Sequence, residues 1–379
     1  MLVADTQLTV RRGSGSFGRQ SLAGWLFVAP VVILLGVFLF VPIIMAAWVS
    51  VADWTGRGGI FDSKVNFVGG DNYAAVLTGK GLTAKNFGMA IRNNLYYVLF
   101  VVPLQTAISL ALATLVSRKA LKAKGFFRTA FYFPSVTSTI AITVLWVFLF
   151  NGSGTINKLL SYLSITGPNW FNDPRGVFSL MTGTTPGTEP FFLNISLGEW
   201  LAGPSIAMSA YIMMAVFTTS GTFMLLFLAA LQNIGEETDE AAMIDGANTW
   251  QRFRHVTLPM LRPTLFTVIT LGLIGSWQVF DQIYAGPKNP TTTTPAYLAY
   301  NVSFGPDGYW GRGAAIAFVL FAIIMVMTAI QRWILGDADF TKLSRRQLKA
   351  QHVYEAGLKA RREQELAVSS VVAKEVTHG

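Results

Sequence analysis

Residues 236–263 read EETDEAAMIDGANTWQRFRHVTLPMLRP, a charged stretch between two long apolar segments. Glu240 suits the positive end of a helix dipole, and Gly246 accepts the left-handed conformation that ends a helix. Asn248 or Thr249 can then cap a second helix. The stretch therefore predicts two short helices joined by a sharp turn, held at a surface between two segments of membrane-spanning length.

The composition of the whole chain predicts a membrane protein. Of its 379 residues, 52% are hydrophobic and only 13% are charged, whereas a soluble domain has roughly 25% charged residues. The mean hydropathy is +0.46. Cysteine is absent, which excludes disulfides, thiolate catalysis and cysteine-ligated metal.

Six apolar stretches are long enough to cross a bilayer core of about 30 Å, which requires roughly 20 helical residues. They cover residues 22–50, 92–116, 129–150, 204–231, 263–284 and 313–335. The first stretch is too long for the apolar part of a signal peptide, so we expect an uncleaved anchor. The predicted fold class is an all-α integral membrane protein with six transmembrane helices.

The distribution of basic residues orients these spans. If both termini are cytoplasmic, the inner segments hold 20 of the 29 Lys and Arg residues and the outer segments hold nine. The positive-inside rule favours this N-in, C-in arrangement, and it accounts for the basic excess without nucleic acid as a partner. The predicted organisation is a cytoplasmic segment 1–21, a six-helix domain 22–335 with outer loops 51–91, 151–203 and 285–312 and an inner loop 236–262, and a cytoplasmic tail 336–379.

The inner loop carries a pattern of small, acidic and aromatic residues at fixed offsets. Its elements are Glu240-Ala241-Ala242, Asp245-Gly246-Ala247, Trp250, Phe253 and Leu258-Pro259. This pattern resembles the cytoplasmic coupling loop of permease subunits from carbohydrate-type ABC importers, the maltose and glycerol-phosphate permease family. Weaker similarity extends over roughly residues 20–335, although the outer segment 151–203 is longer than is typical of six-span members.

The resemblance implies partners and a mechanism. In that family the loop docks on a cytoplasmic ATPase dimer, a second homologous permease completes the pore, and an extracytoplasmic solute-binding protein delivers a carbohydrate. The chain is then expected in a bacterial or archaeal inner membrane, where it moves its solute by alternating access. ATP is bound by the partner subunits, so no cofactor is expected in this chain.

Polar side chains within the predicted spans are candidates for the substrate path, because burying them in hydrocarbon is costly. Thr218, Thr219 and Thr222 share one helical face of the fourth span. The fifth span offers Ser276, Trp277, Gln278 and Asp281. An alternative role remains for the hydroxyls, because Ser and Thr in membranes often bond their own backbone or mediate helix packing.

Other functional classes receive little support from the sequence. The three histidines form no metal-binding spacing, and no phosphate-binding loop motif is present, so we expect a non-catalytic subunit without a metal. An ion-coupled secondary transporter would need ionisable groups within the membrane, where Asp281 alone is found. A permease for a non-sugar solute such as glycerol phosphate remains the closer alternative.

Overall fold

The fold is predominantly helical. A computed structural model describes residues 17–118, 121–183, 187, 189–234, 236–306 and 308–335. Most of the predicted segment 1–21 and all of the predicted tail 336–379 lie outside these described residues.

The first half of the chain contains two long helical stretches and a series of shorter elements. Helix α1 (Phe17–Leu35) continues through a π-helical turn (Gly36–Phe40) into α2 (Val41–Ser50), and α3 (Asp71–Leu77) precedes the long α4 (Leu82–Ser117). Then come α5 (Lys124–Val136), α6 (Thr139–Leu149), α7 (Thr155–Tyr162), α8 (Val177–Thr182), the antiparallel strands β1 (Pro190–Phe192) and β2 (Ile195–Ser196), and α9 (Leu197–Leu201).

The second half places two short helices between long ones. After α10 (Ile206–Gln232) come α11 (Glu236–Ile244), α12 (Thr249–Arg252), a π-helical turn (Phe253–Thr257) and α13 (Leu258–Met260). The chain then forms α14 (Arg262–Trp277), α15 (Asp281–Ala285), a 3-10 turn (Pro290–Thr292), α16 (Pro295–Phe304) and α17 (Trp310–Leu335).

Among the described residues, five helical stretches are long and apolar enough to cross a membrane. They are Gly24–Ser50, Leu82–Ser117, Ile206–Gln232, Arg262–Ala285 and Trp310–Leu335. Helix α4 begins at Leu82, so the last ten residues of the predicted outer loop 51–91 belong to that helix. The chain is therefore a multi-pass membrane protein.

The predicted span 129–150 is not a single straight helix. It is formed by α5 and α6, whose axes differ in direction by 95°. Pro134 removes a backbone donor from the last turn of α5, and the helix ends because Thr137 is extended and Ser138 is also non-helical. The structure has six spans only if this bent pair is counted as one.

Helix α10 lies at the centre of the bundle, where it packs along α4 and α5. Its buried face carries large apolar side chains such as Tyr211, Met224 and Phe227. Gly221 allows a close crossing, because a Cβ at that position would lie 2.2 Å from the carbonyl oxygen of Phe131 on α5. By contrast, the window of Gly24–Ser50 that could cross the membrane has no buried residue, so this stretch lies at the periphery.

The N-terminal half of α4 ties the segments before α10 and α16 to the bundle. Arg92 Nη2 donates to the carbonyl oxygen of Gly203 at 2.7 Å. Asn93 Nδ2 lies 3.1 Å from the carbonyl oxygens of both Pro290 and Thr293. These two side chains therefore fix α4 to the segments that precede α10 and α16.

Candidate functional site

The predicted inner loop, residues 236–262, has the helix–turn–helix form that its sequence predicts. Helix α11 ends at Ile244, and Gly246 follows with a φ of 77°. Of the two predicted caps, Asn248 is the one used: its Oδ1 accepts from the backbone N–H of Gln251 at 2.9 Å. The Gln251 side chain accepts in return from the backbone N–H of Asn248 at 2.8 Å. This reciprocal capping box fixes the start of α12.

An exposed apolar edge projects from this loop. The rings of Trp250 and Phe253 stack with centroids 5.7 Å apart, and Trp250 is 65% exposed. Met243 and Ile244, at the end of α11, are also exposed. Such a cluster of exposed apolar groups is typical of a protein-binding surface.

The remaining predicted loop residues surround this edge. Glu240, Ala241, Asp245, Gly246 and Pro259 are exposed, whereas Ala242, Ala247, Phe253 and Leu258 are half-buried. Leu261, at the junction with α14, is fully buried in the core with Phe223, Phe227 and Val268. The loop is therefore open to a partner along one side and anchored to the bundle at its base.

A cavity of about 300 Å³ lies between α4, α10 and the α14–α15 segment. Five of the seven predicted path residues line it, namely Thr218, Thr219, Ser276, Gln278 and Asp281. Its wall is polar along one side and aromatic at Tyr97, Phe223 and Phe280. Hydroxyl, amide and carboxylate groups beside aromatic rings are suited to binding a polyhydroxylated solute.

A neighbouring cavity of about 240 Å³ lies at the bend between α5 and α6. Thr222 lines this second cavity, together with Pro134, Ser135 and Thr137. Thr218 and Thr219 line both cavities. The three predicted threonines therefore do share one face, which adjoins two cavities.

The hydroxyls of these threonines differ in their partners. Thr218 Oγ1 lies 3.1 Å and 3.0 Å from the backbone carbonyl oxygens of Met214 and Ala215, which is the in-helix bonding that the sequence left open. Thr219 Oγ1 also reaches across to the Oε1 atom of Gln105 on α4, at 2.7 Å. Only Thr219 therefore bonds a side chain of another helix.

Trp277 lies outside the cavity, contrary to the sequence-based prediction. It is 2% exposed and packs in a core cluster with Phe87, Ile91 and Ile316. Neither cavity is lined by its ring. Its position one residue after Ser276 turns it to the other side of α14, away from the polar face.

Four polar residues of the cavity wall were missed from the sequence: Tyr97, Gln105, Thr139 and Gln282. The Gln282 side-chain amide donates to the hydroxyl of Tyr97, so α4 and α15 are joined by a buried polar contact. Gln105 is a polar residue within the predicted span 92–116. Polarity inside an apolar span is the signal that would have identified it.

Nothing in the described parts of the chain forms a metal centre, since no group of three or more His, Asp or Glu side chains is placed to hold an ion there.

Among the residues lining the 300 Å³ cavity, Asp281 is the single carboxylate, and there is no lysine or arginine. The site therefore offers binding groups for a neutral or cationic solute.

Comparison with known proteins identifies the family. Residues 95–336, more than half of the chain, match the family described as "Binding-protein-dependent transport system inner membrane component". The chain belongs to this family. It is a permease subunit, a non-catalytic membrane component of a binding-protein-dependent transport system.

Related permeases are similar over most of their length. The lactose transport system permease protein LacF of Rhizobium radiobacter is 31% identical over 315 residues, which cover 81% of this chain and 92% of LacF. The multiple sugar-binding transport system permease protein MsmF of Streptococcus mutans is 31% identical, covering 81% of this chain and 93% of MsmF. The arabinooligosaccharides permease AraP of Bacillus subtilis is 31% identical, with coverage of 85% and 91%.

The permease fold is also shared with a solved structure. A bacterial ABC transporter involved in the import of the acidic polysaccharide alginate matches with a TM-score of 0.63 and 19% identity. The match covers 86% of this permease and 100% of that chain. At this identity the similarity concerns the fold.

Proposed function

We propose that this permease forms one half of the translocation path of an ATP-driven sugar importer, with the 300 Å³ cavity as its solute site and the inner loop as its ATPase-docking element. The observation that carries this proposal is that the loop directly connects two helices that line the cavity. Helix α10 ends at Gln232 just before the loop, α14 begins at Arg262 just after it, and both helices line the cavity. Movement of the loop would therefore act directly on two walls of the cavity.

The loop is suited to a rigid docking partner. Its stacked Trp250 and Phe253 form an exposed edge, and the capping box at Asn248 holds α12 in place. The proposed partner is one subunit of a cytoplasmic ATPase dimer, which binds the ATP. A second, homologous permease would carry its own loop to the other ATPase subunit, so that ATP-driven closure rocks the two permeases between outward-open and inward-open states.

The proposed orientation places the loop, both termini and the tail 336–379 in the cytoplasm of a bacterial or archaeal cell. Segments 51–81, 151–203 and 286–309 would then face outward. The short helices and the β1–β2 hairpin of the outer segments are the surface available to a solute-binding protein. Counting the bent α5–α6 pair as one span gives the even number of crossings that this arrangement requires.

A sugar is the substrate class that agrees best with the cavity. The relatives are named for lactose, arabinooligosaccharides and multiple sugars, and the cavity wall combines hydroxyl and amide groups with aromatic rings. An anionic solute such as glycerol phosphate is disfavoured, because Asp281 is the one charged group of the lining and would repel it.

Coupling is tested by reconstituting the permease with its second permease, ATPase and binding protein in proteoliposomes, and measuring ATP hydrolysis and sugar uptake. Gly246→Pro should abolish both sugar uptake and the stimulation of ATP hydrolysis, because proline cannot adopt the φ of 77° found at this position. Gly246→Asn is the matched control, since asparagine tolerates the left-handed region, and it should retain most uptake.

Glu240→Lys should likewise reduce ATPase stimulation, because it reverses the charge of an exposed side chain next to the proposed docking edge. Unchanged coupling in both the Pro and the Lys variant would rule out this loop as the docking element. Uptake that persists when the ATPase is omitted would instead favour an ion-coupled transporter.

A further inference from the structure

A further cavity of about 330 Å³ lies between the N-terminal half of α4 and residues 288–301, which include the start of α16. We call it the outer cavity, because both of its walls lie on the outer side in the proposed orientation. It shares no lining residue with the 300 Å³ cavity. Its polar lining residues are Asn86 on α4 and, on the facing segment, Lys288, Asn289, Thr293, Tyr297 and Asn301.

Much of the hydrogen-bonding capacity of this lining is uncommitted. The side-chain amides of Asn86 and Asn301 make no hydrogen bond with any residue that the structure describes. Lys288 Nζ donates to the carbonyl oxygen of Tyr284 and retains two of its three donors. An amide both donates and accepts, as a sugar hydroxyl does. A ligand that carries several hydroxyl groups therefore matches the donors and acceptors of the outer cavity.

The outer cavity adjoins the 300 Å³ cavity across one pair of aromatic rings. Tyr297 lines the outer cavity, Phe280 lines the 300 Å³ cavity, and the centroids of their rings are 6.4 Å apart. Beside this pair, Thr294 Oγ1 donates to the carbonyl oxygen of Val279 at 2.8 Å, which holds the two segments together. The two cavities are therefore consecutive along one route, with the Tyr297 and Phe280 rings between them.

The two cavities carry opposite charges. Asp281 is the one charged residue that lines the 300 Å³ cavity, and Lys288 is the one charged residue among the described residues that line the outer cavity. A cation is disfavoured beside Lys288, and an anion is disfavoured beside Asp281. A solute that occupies both cavities in turn is therefore expected to carry no net charge.

We propose that the outer cavity is a second sugar site, which receives a neutral sugar before it enters the 300 Å³ cavity. Asn86 and Asn301 bind hydroxyl groups of the sugar from two different helices. Lys288 donates to one of its oxygen atoms, and the ring of Tyr297 supplies an apolar surface. This inference rests on the proposed sugar-import function, and it adds that the transported sugar is uncharged and is bound in two steps.

The test uses the fact that the chain contains no cysteine, so that one introduced thiol reports on the outer cavity. Met89→Cys places this thiol in the lining, and the complete transporter in nanodiscs is treated with a small maleimide. Lactose, maltose, trehalose and arabinotriose are titrated as free sugars, and modification of this chain is followed by mass spectrometry. At about ten times the dissociation constant, bound sugar should slow the modification about tenfold. Ser63→Cys, which is exposed and lines neither cavity, should react at an unchanged rate.

Asn86→Ala should shift the protection of Met89→Cys to about fivefold higher sugar concentration, because one hydrogen bond to the sugar is lost. Asn151→Ala is the matched control, since Asn151 is exposed and lines neither the outer cavity nor the 300 Å³ cavity. Thr219→Trp fills the 300 Å³ cavity, and it should abolish uptake while the protection remains. Gln278→Trp replaces it if that variant does not assemble with the ATPase.

Three results would overturn the inference. One is modification of Met89→Cys at the same rate at every concentration of the four sugars, in a transporter that imports one of them. Another is loss of the protection in Thr219→Trp, which would show that the sugar binds in the 300 Å³ cavity alone. The third is efficient uptake of an anionic sugar. Absence of uptake of every sugar by the wild type would instead contradict the proposed function, whereas protection of Met89→Cys would still report a sugar site.

Discussion

At the scale of single residues, a glycine of this permease tolerates a methyl group only where no neighbouring atom lies close to the position of the added Cβ. Gly221 on α10 faces the backbone of α5, with the Phe131 carbonyl oxygen 2.2 Å from where a Cβ would lie. Gly275 on α14 has no atom within 4 Å of its Cβ position. The two glycines therefore have opposite tolerance for a methyl group.

Gly221→Ala should destabilise the permease by about 1–3 kcal/mol, because α5 and α10 must move apart to accept the methyl group. The measurement is thermal unfolding of the purified protein in detergent. Gly275→Ala serves as the control and should leave the unfolding temperature nearly unchanged. An equal effect of both substitutions would show that helix propensity, and not the α5–α10 contact, governs the result.

The sequence predicts single residues well where helical periodicity decides their position. Thr218, Thr219 and Thr222 lie on one face in the structure as the spacing requires. Trp277 was misplaced because an apolar ring beside polar neighbours gives no indication of which side of α14 it occupies. Gln105 could have been identified as a polar residue inside an apolar span, but its contacts with Thr219 and Gly272, more than 100 residues away in the chain, could not be predicted.

At the scale of elements, the inner loop is held by local hydrogen bonds. Gly246 ends one helix, and the capping box between Asn248 and Gln251 begins the next. All the residues that specify this form lie within the loop itself. For this reason the two helices and the turn could be predicted from the sequence, and only the choice between two capping residues was left open.

Asn248→Ala should lower the stability of α12 by about 1 kcal/mol, because the first turn loses its side-chain acceptor. The ratio of ordered to disordered states of the proposed docking edge at Trp250 should then fall about fivefold, and ATPase stimulation should fall with the ordered fraction. ATP hydrolysis by the reconstituted transporter measures this. Asn248→Asp retains the acceptor and should behave like the wild type; a loss of the same size in both variants would show that the cap is not the cause.

The bend between α5 and α6 is the element that the sequence did not predict. The stretch 129–150 is apolar enough to be read as one span, and Pro134 alone is compatible with a modest kink. The 95° change of direction occurs at two consecutive non-helical residues, Thr137 and Ser138. Their conformation depends on tertiary contacts such as the bond from Ser135 Oγ to the Thr218 carbonyl oxygen, 2.6 Å long.

At the scale of the whole molecule, hydropathy and charge predict a multi-pass helical membrane protein, because lipid imposes few alternatives. Apolar segments of this length must form helices that satisfy their own backbone groups. The arrangement of those helices is set by contacts between distant segments, such as Arg92 with Gly203. The cavity is a product of that arrangement and follows from no single stretch of sequence.

The proposed orientation can be tested directly, because the chain contains no cysteine and a single introduced thiol is therefore unique. Tyr162→Cys, on exposed α7, should react with a membrane-impermeant maleimide added to intact spheroplasts. Arg254→Cys, on the exposed inner loop, should react only after the membrane is permeabilised. The reverse labelling pattern would contradict the N-in, C-in arrangement.

The bend between α5 and α6 also has a consequence for the permeability barrier of the membrane. Peptide groups at the two broken helix ends cannot face hydrocarbon without hydrogen-bond partners, and the bend adjoins the cavity that Thr222 lines. We therefore expect water to reach the two helix ends through this cavity, whereas an unbroken helix would need none. The second permease proposed above would then have to supply the seal against ion leakage, so we expect a lone copy of this permease to let ions leak.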